Sequence, residues 1–114
     1  MKTSELTDVA LDWAVAKCEG LLGFGYQDDM GLLRITLSTG ETEYFKPTID
    51  WSQGGPIIER ERITVIAMPK GSWATSTPLH TFHQPTPLIA AMRCYVASKL
   101  GDDVDVPTKL TKGE

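Results

Sequence analysis

The chain has 114 residues, 41% hydrophobic and 23% charged, the composition of one globular domain with a modest core, and it calls for no second domain. A formal charge of −4, with the 11 Lys and Arg scattered along the chain, offers no electrostatic footprint for a phosphate backbone, so nucleic acid is an unlikely partner. The opening residues "MKTSELTD" lack the apolar core of a signal peptide, and no apolar run approaches the ~20 residues that span a bilayer, so the expected location is the cytosol and no membrane partner is expected.

In chain order, a first helix is signalled at "TDVALDWAVAKCEG". Thr7 can cap it, Leu6 can staple against Leu11 across the cap, and Gly20 suits a left-handed stop. Leu11, Ala14 and Cys18 form the inner stripe, and Asp8, Asp12 and Glu19 are expected on a solvated face. "GLLRITLSTGETEYF" then alternates Leu33, Ile35 and Leu37 against Arg34, Thr36 and Ser38, turns at Thr39-Gly40 and returns through Tyr44 and Phe45, which predicts a hairpin. A second hairpin is predicted at "ITVIAMPKGSWATST", with Pro69-Lys70-Gly71 as the turn.

The last element, "TPLIAAMRCYVASKLGDD", carries Thr86 as N-cap, Pro87 at the first helical position and Gly101 just past the end. One side presents Leu88, Met92, Tyr95 and Val96, and another presents Ala90, Cys94 and Ala97. An isolated surface helix does not need two apolar sides, so the small side predicts close approach to the first helix or to a second subunit. A homodimer is inferred on that ground. Residues 101–114 are expected to form an extended arm.

The blocks "LDWAVAKCEG", "DWSQGGPIIERERI", Trp73-Ala74 and "TPLIAAMRCYVASKLGDDVDVP" together resemble the NinX-like proteins, a family of small bacteriophage and prophage proteins of lambdoid phages. Four separated blocks occur in order over more than half of the chain, while Leu21 to Phe45 departs from the family's pattern. The resemblance implies an α-β-α sandwich similar to other phage domains, and a location in the bacterial host cytoplasm. It implies no activity and assigns no site residues. Read with the elements above, the expected fold is α+β: a mainly antiparallel sheet of about four strands, two principal helices and one short helix, in a single domain over residues 1–114.

Between the hairpins, Asp50 to Ile63 folds in one of two ways. Asp50 caps a helix that starts at Trp51, with Gln53 completing a capping box and Pro56 inside; or Gly55 caps and Pro56 opens a two-turn helix. The second is preferred. It leaves the Ile57 and Ile58 amides at a helix start where an anion could bind, beside Gly54, Arg60 and Trp51, with Trp73 as a further aromatic wall. The competing reading makes the two glycines a turn and a close backbone contact, with both isoleucines in the core, and a lone Gly-Gly-Pro without a P-loop's Lys-Ser/Thr favours it.

The remaining chemistry is sparse. Glu59 and Glu61 point about 200° apart on a helix and share no substrate. His80 and His83 lie in a Thr- and Pro-rich stretch read as a loop, without third and fourth ligands for a metal. In the cytosol a disulfide is not expected, and Cys18 and Cys94 read as small buried hydrophobes; Cys94 beside Arg93 is the one hint of an activated thiol. No cofactor, metal or catalytic set is expected. The functional expectation is a non-catalytic phage accessory protein that binds a host or phage protein, with capture of a small anionic ligand such as a nucleotide near Gly55 as the alternative.

Overall fold

The structure, a computed structural model, describes residues 2–6, 8–21, 26–27, 33–36, 39–76, 81–84 and 86–106. Among the described residues, three α-helices and six short strands follow in the order α1 (Asp8–Cys18), β1 (Tyr26–Gln27), β2 (Leu33–Thr36), β3 (Thr42–Tyr44), α2 (Trp51–Glu61), β4 (Thr64–Ala67), β5 (Trp73–Ser76), β6 (Thr81–Gln84) and α3 (Pro87–Leu100). The α+β class and the antiparallel pairing agree with the sequence. The strand count differs, because the two hairpins do not merge into one sheet of about four strands. Each gains a third strand, giving two sheets of order β1-β2-β3 and β4-β5-β6 among the described residues.

Alternation sets the register of the first sheet. Ile35 pairs with Glu43 and Arg34 with Tyr44, which turns Leu33 and Ile35 into the core while Arg34 stays on the other face with its guanidinium 4.6 Å from the Tyr44 ring. Leu37 and Ser38 lie outside the described residues. In the second sheet the predicted turn forms at Pro69–Gly71, with Lys70 at φ 68° and Gly71 at φ 78°. The "HTFH" stretch is not the predicted loop. Thr81–Gln84 forms β6 and pairs with β5, His83 opposite Ala74, while His80 lies outside the described residues.

The end signals of α3 hold: the Thr86 side chain accepts from the Ile89 amide at 3.2 Å, Pro87 opens the helix, and Gly101 follows it at φ 84°. Both of its apolar sides are buried, from Leu88 through Ala97, as expected of a helix surrounded by other elements. It packs against β5 and β6, α1, α2 and the N-terminal 3-10 turn at Thr3–Glu5. The Cys94 thiol lies 3.2 Å from both the carbonyl and the hydroxyl of Thr75, which sets the Ala90, Cys94 and Ala97 stripe against β5. That cover comes from the same chain, so the stripe no longer argues for a second subunit.

α1 stops as predicted, with Gly20 at φ 78°, and Leu6, Leu11 and Ala14 are fully buried; Thr7, the predicted cap, lies outside the described residues. The solvated face expected for Asp12 and Glu19 is not observed. Asp12 is 3% exposed and accepts from the Thr48 amide at 3.1 Å, and Glu19 is half-buried in an ion pair with Arg60. Leu6, Val15, Ile35, Phe45, Ile57, Met92, Tyr95 and Val104 belong to one continuous core. At the chain's start, Thr3 donates its amide to the Asp102 carbonyl at 2.9 Å and its hydroxyl to the Gly101 carbonyl at 2.7 Å, which ties residues 2–6 to the segment that follows α3.

Candidate functional site

The segment from Ile49 to Ile63 adopts the arrangement that Asp50 capping requires. α2 starts at Trp51, and the Asp50 carboxylate accepts from the Ser52 amide at 2.9 Å and the Ser52 hydroxyl at 2.6 Å, which holds its pKa below the usual Asp range. Pro56 therefore sits inside the helix and not at its first position. The Ile57 and Ile58 amides are interior to α2, so the anion site expected at a helix start near Gly55 has no helix start to rest on. Nor does Gln53 close a capping box. Its side-chain carbonyl accepts from the Lys46 amide at 2.6 Å and its side-chain nitrogen donates to the Tyr44 carbonyl at 2.8 Å, fixing the link from β3 to α2.

These contacts explain why the longer helix wins. An interior proline removes one helical hydrogen bond and crowds the carbonyl four residues back, at a cost of about 3 kcal/mol. Against that stand the Asp50 cap, the Gln53 tether and the burial of Gly54. A methyl group on Gly54 would lie 2.5 Å from the Pro47 carbonyl oxygen and 2.6 Å from Leu88 Cδ2, so the backbone of α2 approaches the link more closely than any side chain permits. Gly55 is different: a Cβ there would meet only Trp51 Cε3, at 3.8 Å. At the other end Arg62 takes the left-handed conformation at φ 56°, and the Ile63 amide returns to the Ile58 carbonyl at 3.1 Å.

Ile57 enters the core and Ile58 packs at its margin, so these two candidate residues are architectural. Arg60 is engaged as well. Its guanidinium donates to Glu19 at 2.6 and 3.2 Å, to Glu61 at 2.9 Å and to the Tyr95 hydroxyl at 3.1 Å. Hydrogen bonds to Glu19 and then Glu61 raise its pKa further, and the Tyr95 phenol, which donates to Glu19, is pushed up by burial and then by Glu19. Lys99 reaches Glu61 at 3.3 Å. The group joins α2, the end of α1 and α3.

Trp51 and Trp73 do not share one role. Trp73 is half-buried in β5, the middle strand of its sheet, whereas Trp51 is 54% exposed over Gly55. Ile49, just before the Asp50 cap, is 65% exposed. A hydrophobic residue there usually packs on the fourth residue of the helix, but in α2 that position is Gly54, so Ile49 has no staple partner. Two large apolar side chains thus flank a capped helix start in solvent. A second exposed pair, Ile66 and Met68, lies at β4, an edge strand of its sheet. Sequence reasoning missed Ile49, although its place before a capping Asp with Gly54 four residues into the helix was a usable signal.

Cys94 is fully buried against Thr75, and Arg93 beside it in sequence donates instead to the Leu6 carbonyl, so the two do not form an activated thiol pair. Cys18 is half-buried, and burial, followed by the Glu19 charge, pushes its pKa up to about 11. Among the described residues no group of three or more His, Cys, Asp or Glu could hold a metal ion. No helix among them is long and apolar enough to cross a membrane. A groove of 290 Å³ lined by Lys17, Leu100, Asp103, Val104 and Asp105 lies apart from the candidate residues.

The family model described as Bacteriophage P22, NinX matches residues 2–99, which takes in α1, α2 and α3 almost to the end of α3. The chain belongs to the NinX family. The matched span includes β1 to β3, the region where the blocks quoted above leave a gap. A comparison with curated proteins found no match.

Proposed function

We propose that this NinX family protein is a non-catalytic phage accessory protein that acts in the host cytoplasm by binding another protein, of host or phage origin, through the apolar start of α2. The supporting observation is the exposure of Ile49 and Trp51, at 65% and 54%, on a helix start fixed by the Asp50 cap and the Gln53 tether. Rigid exposed tryptophan is the side chain most enriched at the energetic centres of protein interfaces, because it brings a large contact area at little entropic cost. The polar groups at the helix start are engaged within the chain: Asp50 with Ser52, and Gln53 with the backbone of Tyr44 and Lys46. What that start offers a partner is therefore mainly apolar surface.

The experiment compares parent and Ile49→Asp/Trp51→Ala protein as bait in phage-infected cells, after circular dichroism has shown that both melt at the same temperature. The expected result is a partner retained by the parent and lost by the double variant. Equal retention by a folded double variant would remove this surface from the account. Light scattering on the parent tests whether a second copy of the chain is what the surface binds.

A further inference from the structure

The outer edge of β4 has no part in the surface proposed above. Among the described residues β4 is an edge strand, and α3 packs over β5 and β6, which leaves Ile66 at 51% and Met68 at 39% exposure. Edges are commonly blunted by a charge or a proline, and Thr64 to Ala67 carries neither. The register defines what this edge presents. Ile66 lies opposite Ala74 and Val65 opposite Thr75, and the Met68 amide donates to the Ser72 carbonyl at 2.9 Å. Hydrogen-bonded and non-hydrogen-bonded pairs alternate along an antiparallel ladder, so Thr64, Ile66 and Met68 direct their backbone groups to the β5 side. The N–H and C=O groups of Val65 and Ala67 therefore point outward.

A second copy related by a two-fold axis presents the same groups in reverse order, and the flanking residues select the register. Centred on Val65, the ladder needs the amide of Ile63, which already donates to the Ile58 carbonyl at 3.1 Å. Centred on Ala67, it needs an amide from Pro69, which has none. Centred on Ile66, Val65 of each copy exchanges both hydrogen bonds with Ala67 of the other, and every outward group finds a partner. The side chains agree with that register. Ile66 meets its own copy in a close non-hydrogen-bonded pair, Met68 lies across from Thr64, and Val65 lies across from the smaller Ala67. No charge falls within the ladder, and the cations Arg62 and Lys70 stand outside it, exposed to screening solvent.

We propose that β4 pairs with β4 of a second copy of this chain, antiparallel and centred on Ile66, joining two three-stranded sheets into one of six strands. The interface uses the same residues on both sides and so closes at a dimer. It is separate from the apolar surface at Ile49 and Trp51, and neither depends on the other.

Disulfide trapping with oxidised glutathione reads the register, with native Cys18 and Cys94 common to every variant. Ile66→Cys should form a covalent dimer roughly tenfold faster than Thr64→Cys, because the pairing sets the two Cα atoms at position 66 about 4.5 Å apart and those at position 64 about 13 Å apart. A mixture of Thr64→Cys and Met68→Cys proteins should cross-link one to the other. Light scattering at millimolar concentration should find the parent and Ile49→Asp/Trp51→Ala dimeric, and Ile66→Lys a folded monomer. If Ile66→Lys does not fold, the trapping decides alone. Equal trapping rates at positions 66 and 64 overturn the pairing, as does a monomeric parent. A dimer that Ile49→Asp/Trp51→Ala abolishes and Ile66→Lys keeps overturns it too, and assigns the second copy to the start of α2.

Discussion

Adding one methyl group at each of two adjacent glycines should have opposite consequences. At Gly54 the new Cβ would meet the Pro47 carbonyl oxygen at 2.5 Å and Leu88 Cδ2 at 2.6 Å. The leucine is buried, and the Pro47 carbonyl belongs to a link held by the Lys46 amide on Gln53 and the Thr48 amide on Asp12, so neither neighbour yields freely. Overpacking of this kind costs about 1–3 kcal/mol, and contact with fixed backbone places it at the upper end; replacing Gly by Ala inside a helix returns about 1 kcal/mol. Gly54→Ala should therefore lose about 2 kcal/mol net. At Gly55 the Cβ meets Trp51 Cε3 at an ordinary 3.8 Å, so Gly55→Ala should keep most of the helical gain, about 0.5–1 kcal/mol. The two variants should then melt about 10 °C apart on opposite sides of the parent, at about 4 °C per kcal/mol for a domain of this size. Thermal and urea unfolding followed by circular dichroism measure this directly. A Gly54→Ala protein as stable as the parent would refute the close contact with Pro47. Destabilisation by Gly55→Ala would return the helix start to Gly55.

Arg60→Ala should cost on the order of 1 kcal/mol, discounted for the exposure of its ion pairs, and leave the fold intact. Its hydrogen bond is the leading cause that holds the Glu61 pKa below the usual 4.5, so that stabilisation is present above 4.5 and lost as pH falls through the depressed value; the stability gap between parent and variant should narrow below about pH 4.5, and a gap unchanged down to pH 2 would contradict the pairing. Ala97→Glu places a carboxylate at a site 2% exposed within its own chain, and should cost more than about 3 kcal/mol and yield unfolded or insoluble protein; a folded, stable monomer obtained from a dimeric parent would instead restore the stripe to a subunit interface. Thiol titration by ultraviolet absorbance should place Cys18 near 11, whereas a midpoint near 8.5 would show that the thiol is solvated.

The parts of the fold legible in the sequence are those that neighbouring residues decide. Thr86, Pro87 and Gly101 bracket α3, Lys70 and Gly71 take the positive φ that the second hairpin needs, and Leu33 and Ile35 turn inward by alternation. The misread features are settled by residues far away in sequence. Asp12 is buried because the Thr48 amide meets it 36 positions later, and Glu19 is drawn from solvent by Arg60 and by Tyr95, 41 and 76 positions on. The choice between Gly55 and Asp50 as the start of α2 belongs to the same class. Local rules favour proline at a first helical position, and only the approach of Pro47 and the tether from Gln53 make an interior Pro56 acceptable. Thr81–Gln84 is too short and polar to announce itself as a strand, and its pairing with β5 is what makes it one. Among the candidate site residues, Trp51 keeps an outward role. Ile57, Ile58 and Arg60 are drawn into packing and ion pairs by contacts that no local pattern encodes.

Site-specific photo-crosslinking in phage-infected cells asks whether the start of α2 meets a protein. A benzophenone amino acid is placed at position 51 in one protein and at exposed Glu41, in the turn between β2 and β3, in another. Position 51 should give a discrete cross-linked polypeptide that position 41 does not give and that excess unlabelled parent protein suppresses. Cross-linking that is absent at position 51, or equal at both positions, would contradict the proposed contact.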